Sequence, residues 1–522
     1  MGDTEKTKEQ TTQTALIDDL VDRLHQMKAI FRKQDDAASA ELFAILFRDK
    51  HRYCTSAKDW FLYKDGIWQI DNEGMSARAD MKILGRAIVK YAGECSEDSE
   101  EISDKQMEIF LSYARQWLKK QFRDAVLQDS RDQVFFSREQ LDQNPYLLNC
   151  KNCVLDFSRI REGKIKRMDH SPSFLLSKQA NVDYDPKAKA PKWRKSVKEI
   201  MRNNSVMVRY LQKTLGPALI GELAEQKMNI FFGPTSRNGK STVCETVLDL
   251  TGSYSDNLDP ESIAVQQKID ARRASPDLAS LAGLRFVVCT EPEKSLPLNS
   301  ALLKKLTGGD GIKCRNLNEK PFTFIPQFTL VLNCNYLPTT SDMTVFSSDR
   351  MNVIEFGRHF TEKERNKNLR KELKEEFSGI LNWLIEGLVM YYKEGYEAPD
   401  GVVTQIEAYK KESDKLGEFL EDKLIPEPEM NKPRLLKVND IYPVYEEWAR
   451  NNGYKPWGKQ QFIKELKTKN IYKETGTIKS EDKDGKMVSK TEKRLIVGYS
   501  GFIRTDKTFE ECTDSENTAS EG

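Results

Sequence analysis

Histidine is scarce in this sequence, and its four copies, His25, His51, His170 and His359, lie far from one another. A zinc site needs a second Cys/His pair at ligand spacing, and the nine cysteines offer one C-x-x-C only, Cys150-Lys-Asn-Cys153. Reduced thiols in a cytoplasmic protein are the favoured reading. Long apolar runs are missing too. None nears the roughly eighteen residues of a spanning helix, and the start MGDTEKTKEQ is polar with no signal-peptide core. Lys6 stands where a myristoylation signal requires Ser or Thr. The expectation is a chain with no membrane partner. An excess of charge is also absent: Lys+Arg 82 against Asp+Glu 81 leaves +1, so any nucleic-acid surface must be a local patch.

What the chain does have is length and a phosphate-loop grammar. Its 522 residues, 38% hydrophobic, suffice for about two to four domains with globular cores. The stretch Met228–Thr242, MNIFFGPTSRNGKST, passes from an apolar strand-like run into a loop and then into a helix-period segment carrying Val243, Thr246, Val247 and Leu250. Glycines allow backbone N–H groups to turn toward phosphate, the helix N-terminus adds partial positive charge, Lys240 reaches the β- and γ-phosphates, and Ser241 can hold Mg²⁺. The candidate nucleotide-binding residues are Gly233, Pro234, Thr235, Ser236, Arg237, Asn238, Gly239, Lys240, Ser241 and Thr242. The spacing departs from G-x-x-x-x-G-K-[ST], since five residues separate Gly233 from Gly239. A G-K-S-T turn with no ligand is the bland alternative, and the strand–loop–helix context argues against it.

Around this stretch the pattern changes several times. Residues 1–12 read as disordered. Leu16, Leu20, Leu24, Met27 and Phe31 recur at helical spacing, as a core stripe or a partner seam. Trp60–Trp68 alternates around Asp65-Gly66, a hairpin signal. The basic segment Lys187–Lys195, with Pro191 and Trp193, reads as a solvated linker entering a helix, or as a phosphate-tracking element. Apolar runs at Met228–Phe232, Leu284–Thr290, Phe328–Asn335 and Met351–Phe356 alternate with helical stretches, which predicts a mostly parallel sheet with helices on its faces.

Three further features suit phosphate-loop chemistry, which needs positioning and charge neutralisation more than covalent steps. Leu284–Glu291 is a strand-like run ending in a carboxylate, so Glu291 is the candidate base and metal-associated acid, with Glu293 the fallback. Thr290 stands where an Asp is common, which leaves direct metal ligation from this strand open. Phe328–Asn335 ends in an amide that can hold a terminal phosphate or the attacking water. Arg350 precedes another strand, and is either an arginine finger supplied across a subunit boundary or a salt-bridge partner of Asp349 or Asp342. Between acid and amide, Ile312–Leu317 and Phe322–Ile325 flank a polar turn, which puts Lys320 near a hairpin tip and Lys313 and Arg315 on one arm. Such cations suit single-stranded nucleic acid. Near the C-terminus, Pro456–Lys469 reads as a helix with Phe462, Ile463 and Leu466 inward and Lys459 and Lys464 outward, followed by strands turning at Asp484-Gly485. That is a candidate recognition helix and wing, or a peripheral helix with solubilising lysines.

The ordered set GPTSRNGKST, FVVCTEPE, LLKKLTGGD, LVLNCNYLP and SSDRMNVIEF resembles the superfamily 3 helicases of the phage/plasmid and poxvirus primase-helicase family. Upstream, Leu147–Phe157 and Val182–Pro186 resemble that family's N-terminal companion domain, although Cys153 stands where the family usually has Gly. Downstream, Ser413–Leu420 and Ile441–Trp448 are similar to its C-terminal winged-helix region. The resemblance implies an α/β fold: a P-loop AAA+-like ATPase core with an N-terminal α/β accessory domain and a C-terminal winged-helix domain. It divides the chain into a polar segment with an amphipathic helix (1–40), the accessory domain (41–186), the ATPase domain (187–400), a linker helix (401–426), a winged-helix-like DNA-binding domain (427–503) and an acidic disordered tail (504–522). By the same resemblance Lys240 and Ser241 form the Walker A pair, Glu291 is the Walker B acid, Asn335 the sensor and Arg350 the finger.

The function it implies is an ATP- and Mg²⁺-dependent replicative DNA helicase of a phage, plasmid or other mobile element, in the host-cell cytoplasm. Single-stranded and forked DNA, further copies of itself in a homo-hexameric ring moving 3′ to 5′, and a separate primase or replication initiator are the implied partners. The sequence ahead of the companion domain is too short for a primase domain, so no primer synthesis is expected. Two other classes stay open: an ATP-gated origin-binding protein that melts DNA without translocating, and a P-loop kinase, which would leave the basic hairpin and the C-terminal domain without a role.

Overall fold

The computed structural model describes residues 2–97, 102–223, 225–265, 275–290, 297–315, 321–338, 349–426, 435–481 and 487–502. Apolar runs bounded by turn residues become strands of one five-stranded sheet: β1 (Met228–Phe232), β2 (Ser255–Leu258), β3 (Phe286–Thr290), β4 (Thr329–Cys334) and β5 (Met351–Glu355). Their order is β5-β1-β4-β3-β2, and every neighbouring pair is parallel. Four strands are buried and mainly apolar on both faces, as suits a parallel sheet covered on both sides. The fifth, β2, is Ser-Asp-Asn-Leu on the sheet edge, too polar to stand out in the sequence.

Parallel strands bring all their C-terminal ends to one edge. The loop after β1, Thr290 at the end of β3 and Asn335 just past β4 therefore share that edge. The acid-bearing strand is not the loop strand's neighbour: β4 lies between β1 and β3, so the amide strand stands directly beside the loop.

The described residues up to 402 form one compact unit and those from 403 onward a second. In the first, a helix runs from Gly2 to Gln26, where residues 1–12 were expected to be disordered; no proline or internal glycine interrupts it. Leu20 and Leu24 are buried with the helix Met75–Glu97 in one core, whereas Phe31, beyond the helix end, is half exposed. Asp59–Lys64 and Ile67–Asp71 pair antiparallel around Asp65 and Gly66, whose φ angles of 52° and 82° suit a two-residue turn of the primed class.

The basic segment read as a solvated linker entering a helix does so at once, at Pro191, and the helix Pro191–Ile200 is packed rather than solvated. Trp193 is fully buried edge-on against Trp383 with ring centroids 5.3 Å apart, and Lys192 and Arg194 pair with Glu372 and Glu386. Burial of the indole, invisible in a run dominated by lysines, made this element part of the core. Arg285, just ahead of β3, ties the accessory region to the sheet: its buried guanidinium donates to the carbonyls of Leu147 and Leu219, both at 2.6 Å, and lies 4.2 Å from the Tyr254 ring.

In the second unit the helices Lys415–Lys423, Val438–Asn451 and Lys459–Thr468 pack with a three-stranded antiparallel sheet of Leu435–Lys437, Met487–Val497 and Tyr472–Glu481. Leu416, Phe419 and Leu420 join its core, so Lys415–Lys423, expected within a linker, is integral to this unit. Among the described residues no helix is long and apolar enough to cross a membrane.

Candidate nucleotide site and nucleic-acid surfaces

The loop between β1 and the helix Lys240–Thr251, α1, is built on two glycines that tolerate no side chain. A Cβ on Gly233 would stand 2.2 Å from Asn238 Nδ2 and 2.8 Å from the Phe356 carbonyl oxygen; Gly239 sits at φ 90° with the Ile200 side chain 2.5 Å from where its Cβ would be. The five-residue spacer is taken up by Arg237, in the left-handed region at φ 57°, and by Asn238, which folds inside the loop. Buried Asn238 donates from Nδ2 to the Thr235 carbonyl at 2.5 Å, and its Oδ1 accepts from the Lys240 N–H at 3.4 Å. Pro234, Thr235, Ser236 and Arg237 form the exposed rim.

Lys240 opens α1 and is buried, yet its ammonium has partners: Gly233 O at 3.1 Å and Asn335 Oδ1 at 2.8 Å. The contact to Asn335 follows from the register that sets Cys334 beside Phe232, and the Gly233 N–H donates to the Cys334 carbonyl at 3.2 Å. Next to this pair a cleft of about 400 Å³ is lined by Ser241, Glu245 and Asp249 of α1, by Thr290 and Asn333 from the strand ends, and by Arg370. A helix N-terminus, a cradle too tight for side chains, an ammonium and an exposed serine hydroxyl fit a triphosphate with its divalent ion. Burial pushes the thiols of Cys244, Cys289 and Cys334 up to about 12, so thiolate chemistry has no place here.

The other candidates are distributed. Glu291 and Glu293 lie outside the described residues, as does Lys320. Arg350 is at the opposite edge of the sheet: its carbonyl accepts from Met228 N–H, one strand length or about 15 Å from the loop. It cannot reach a nucleotide held by its own loop. Nor does it pair with Asp349, which bonds Lys227 at 2.8 Å; its guanidinium donates to the Lys304 carbonyl, Thr307 Oγ1 and Gln226 Oε1. Asp342, the other expected partner, is outside the described residues. The arms Ile312–Cys314 and Phe322–Phe324 pair antiparallel, with Lys313 exposed opposite Thr323 and Arg315 half-buried just beyond. In the second unit Lys464 is exposed, while Lys459 lies half-buried with its ammonium 5.6 Å from the Tyr442 ring. The turn at Asp484-Gly485 is outside the described residues, between strands that pair up to Glu481 and Met487. Among the described residues no group of three or more metal-ligating side chains occurs, and Cys150 and Cys153 are both buried in a tight turn.

Arg370 escaped notice in the sequence, because it sits in a charged run with no periodic signature. In the structure it lines the cleft and is held by Asp249 at 3.1 Å and Glu245 at 2.9 Å on α1.

Comparison with known proteins now bears on the flanking regions. Residues 40–202 match the family model described as D5 N terminal like, and residues 411–497 match Poxvirus D5 protein-like. Over these two stretches the chain resembles the poxvirus D5-like primase-helicase family. It is 25% identical over 456 residues to "Putative helicase L207/L206" of Acanthamoeba polyphaga mimivirus, covering 80% of this chain and 46% of the relative. It is 25% identical over 362 residues to "Putative helicase 121R" of Invertebrate iridescent virus 3, covering 61% and 37%. The chain thus spans less than half the length of these curated relatives. The apo structure of the NrS-1 C-terminal region aligns with 89% of this chain and all of that one, at 12% identity and a TM-score of 0.45.

Proposed function

We propose that this D5-like chain is an ATP-dependent DNA helicase acting in the replication of a virus-like replicon. The observation that carries the reading is the Lys240–Asn335 contact at the C-terminal edge of a parallel sheet, where a glycine cradle and a helix N-terminus converge. The relatives named as helicases support it, and so do the cationic hairpin and the separate C-terminal unit, which a small-molecule kinase would not need.

ATP and Mg²⁺ are the cofactors in this reading, of the P-loop, AAA+-like class. Bound Mg²⁺ supplies charge neutralisation at the terminal phosphates. The loop amides from Thr235 to Ser241 and the Lys240 ammonium hold the phosphates, and the Ser241 hydroxyl is the ligand offered to the metal. Asn335 orients the terminal phosphate or the water without adding charge, and Glu291 is the acid that activates that water. Arg350, far from its own loop, is in this reading the finger for a neighbouring subunit's nucleotide; a hexameric ring moving 3′ to 5′ is the form the family resemblance implies. Lys313, Arg315 and Lys320 grip single-stranded DNA, and Lys459 and Lys464 belong to a winged-helix surface for the fork or origin. A separate primase or initiator completes the set of partners, and the host-cell cytoplasm is the site of action.

The test is unwinding of a forked DNA duplex. The full chain with ATP and Mg²⁺ separates the strands, and Glu291→Gln binds ATP but neither hydrolyses nor unwinds. If the Gln variant turns over normally, Glu293 is the base. ATP hydrolysis indifferent to single-stranded DNA would instead favour the kinase, and DNA-stimulated hydrolysis without strand separation the origin-melting initiator.

A further inference from the structure

The nucleotide reading leaves one part of its ligand without a partner, the base. Strand order restricts where that base lies. β1 stands between β4 and β5, and the polar groups for the terminal phosphate, Asn335 and the end of β3, are all on the β4 side. A triphosphate threaded along the loop with its terminal phosphate toward Asn335 therefore carries its nucleoside toward the β5 side. That flank is built from the segment just after β5. The Phe356 N–H donates to the Phe232 carbonyl at 2.6 Å, the His359 ring nitrogen Nδ1 is 2.9 Å from the Ser236 carbonyl, and the Phe360 N–H donates to the Arg237 carbonyl at 2.8 Å. The segment is thus fastened to the loop rim residue by residue.

At the end of this clamp stands a half-buried aromatic ring. The Arg358 guanidinium lies over Phe360, 5.0 Å from the ring centroid, and is itself paired with Glu364, so the ring is steadied from one side. A purine needs a flat apolar partner where the phosphate grip ends, and stacking on an aromatic ring supplies it without any requirement for base-edge hydrogen bonds.

We infer that Phe360 is the stacking platform for the base of the bound nucleoside triphosphate, a binding residue set beside the phosphate loop. The inference rests on the nucleotide reading above, and the two fail differently. Binding of MgATP and of magnesium tripolyphosphate, which has the phosphates but no base, is measured by calorimetry on the full chain, its Phe360→Ala variant and its Phe360→Tyr variant. The parent binds both, ATP more tightly. Phe360→Ala weakens ATP about tenfold, the size of one lost aromatic–base stack, and leaves tripolyphosphate unchanged, which also reports an intact loop; Phe360→Tyr keeps the parent's preference. An unchanged ratio of ATP to tripolyphosphate affinity in Phe360→Ala overturns the platform, as does equal weakening of both ligands. A parent chain that binds neither overturns the phosphate-loop reading itself.

Discussion

Lys240 and Asn335, ninety-five positions apart, meet at 2.8 Å, ammonium to amide oxygen, at the mouth of the phosphate loop. The same lysine also bonds the Gly233 carbonyl, so its head is held at the loop by two oxygens that carry no formal charge. An incoming phosphate competes with these two neutral acceptors, which a charge-assisted contact outcompetes. Asn335 is then released to bond whatever stands beyond the terminal phosphate.

That exchange predicts a split between binding and turnover. Asn335→Ala should change ATP affinity less than about threefold while slowing single-turnover hydrolysis about a hundredfold, the scale of a lost transition-state hydrogen bond. Lys240→Ala should instead lose binding. If Asn335→Ala weakens ATP as much as Lys240→Ala does, the amide belongs to the ground-state grip.

Arg350 makes a prediction about assembly. Its bonds to the Lys304 carbonyl and Thr307 Oγ1 anchor the helix Ser300–Gly308, so Arg350→Ala should cost about 1 to 2 kcal/mol of stability whatever its role in catalysis. Arg350→Lys, which keeps a cation, separates the two effects. Mixed with Glu291→Gln subunits, Arg350→Ala subunits should regain part of the ATPase rate at interfaces that pair an intact Glu291 with an intact Arg350. Mixed rings shown to form, yet inactive at every ratio, would leave Arg350 an anchor only.

For the hairpin, the expected signature is uncoupling. Lys320→Ala should keep basal ATPase and lose both unwinding and stimulation by DNA, and adding Lys313→Ala and Arg315→Ala should flatten the salt dependence of single-strand binding by about 0.7 logarithmic units per phosphate contact removed. Unwinding at the parent rate in the triple variant would make the hairpin scaffold.

Asp249 on α1 offers a pH test. Burial alone pushes its carboxyl up, but hydrogen bonds from Arg370 and Lys374 outweigh that and hold it below the ordinary aspartate value. A depressed folded-state pKa stabilises the fold above the ordinary value and loses that contribution as pH falls through the folded one. Asp249→Asn should therefore cost less than about 1 kcal/mol at pH 7, and the gap from the parent, followed by urea denaturation, should close as the solution is acidified below the aspartate range. A gap that stays constant into acid would mean the pair contributes through shape alone.

Local chemistry was enough to reveal much of this protein. Gly233, Gly239 and Lys240 mark the loop because a phosphate cradle needs those residue types at close spacing, and the runs that became β1, β3, β4 and β5 stand out because strands buried on both faces are predominantly apolar. The Asp65-Gly66 hairpin was legible for a similar reason: its turn demands positive φ at two successive residues. What local chemistry cannot encode is adjacency between distant segments. Only the tertiary structure set β4 between β1 and β3, drew Asn335 rather than the acid strand up to Lys240, and put Arg350 a strand length from its own loop. It alone packed the helix at the end of a lysine-rich stretch into the core through the burial of Trp193, and brought Arg370 and Phe360 to the nucleotide cleft and the loop rim. The physical reason is common to all of these. Strand order, helix packing and loop clamping are settled by which surfaces bury one another, and that free energy belongs to pairs of segments, not to either segment read by itself.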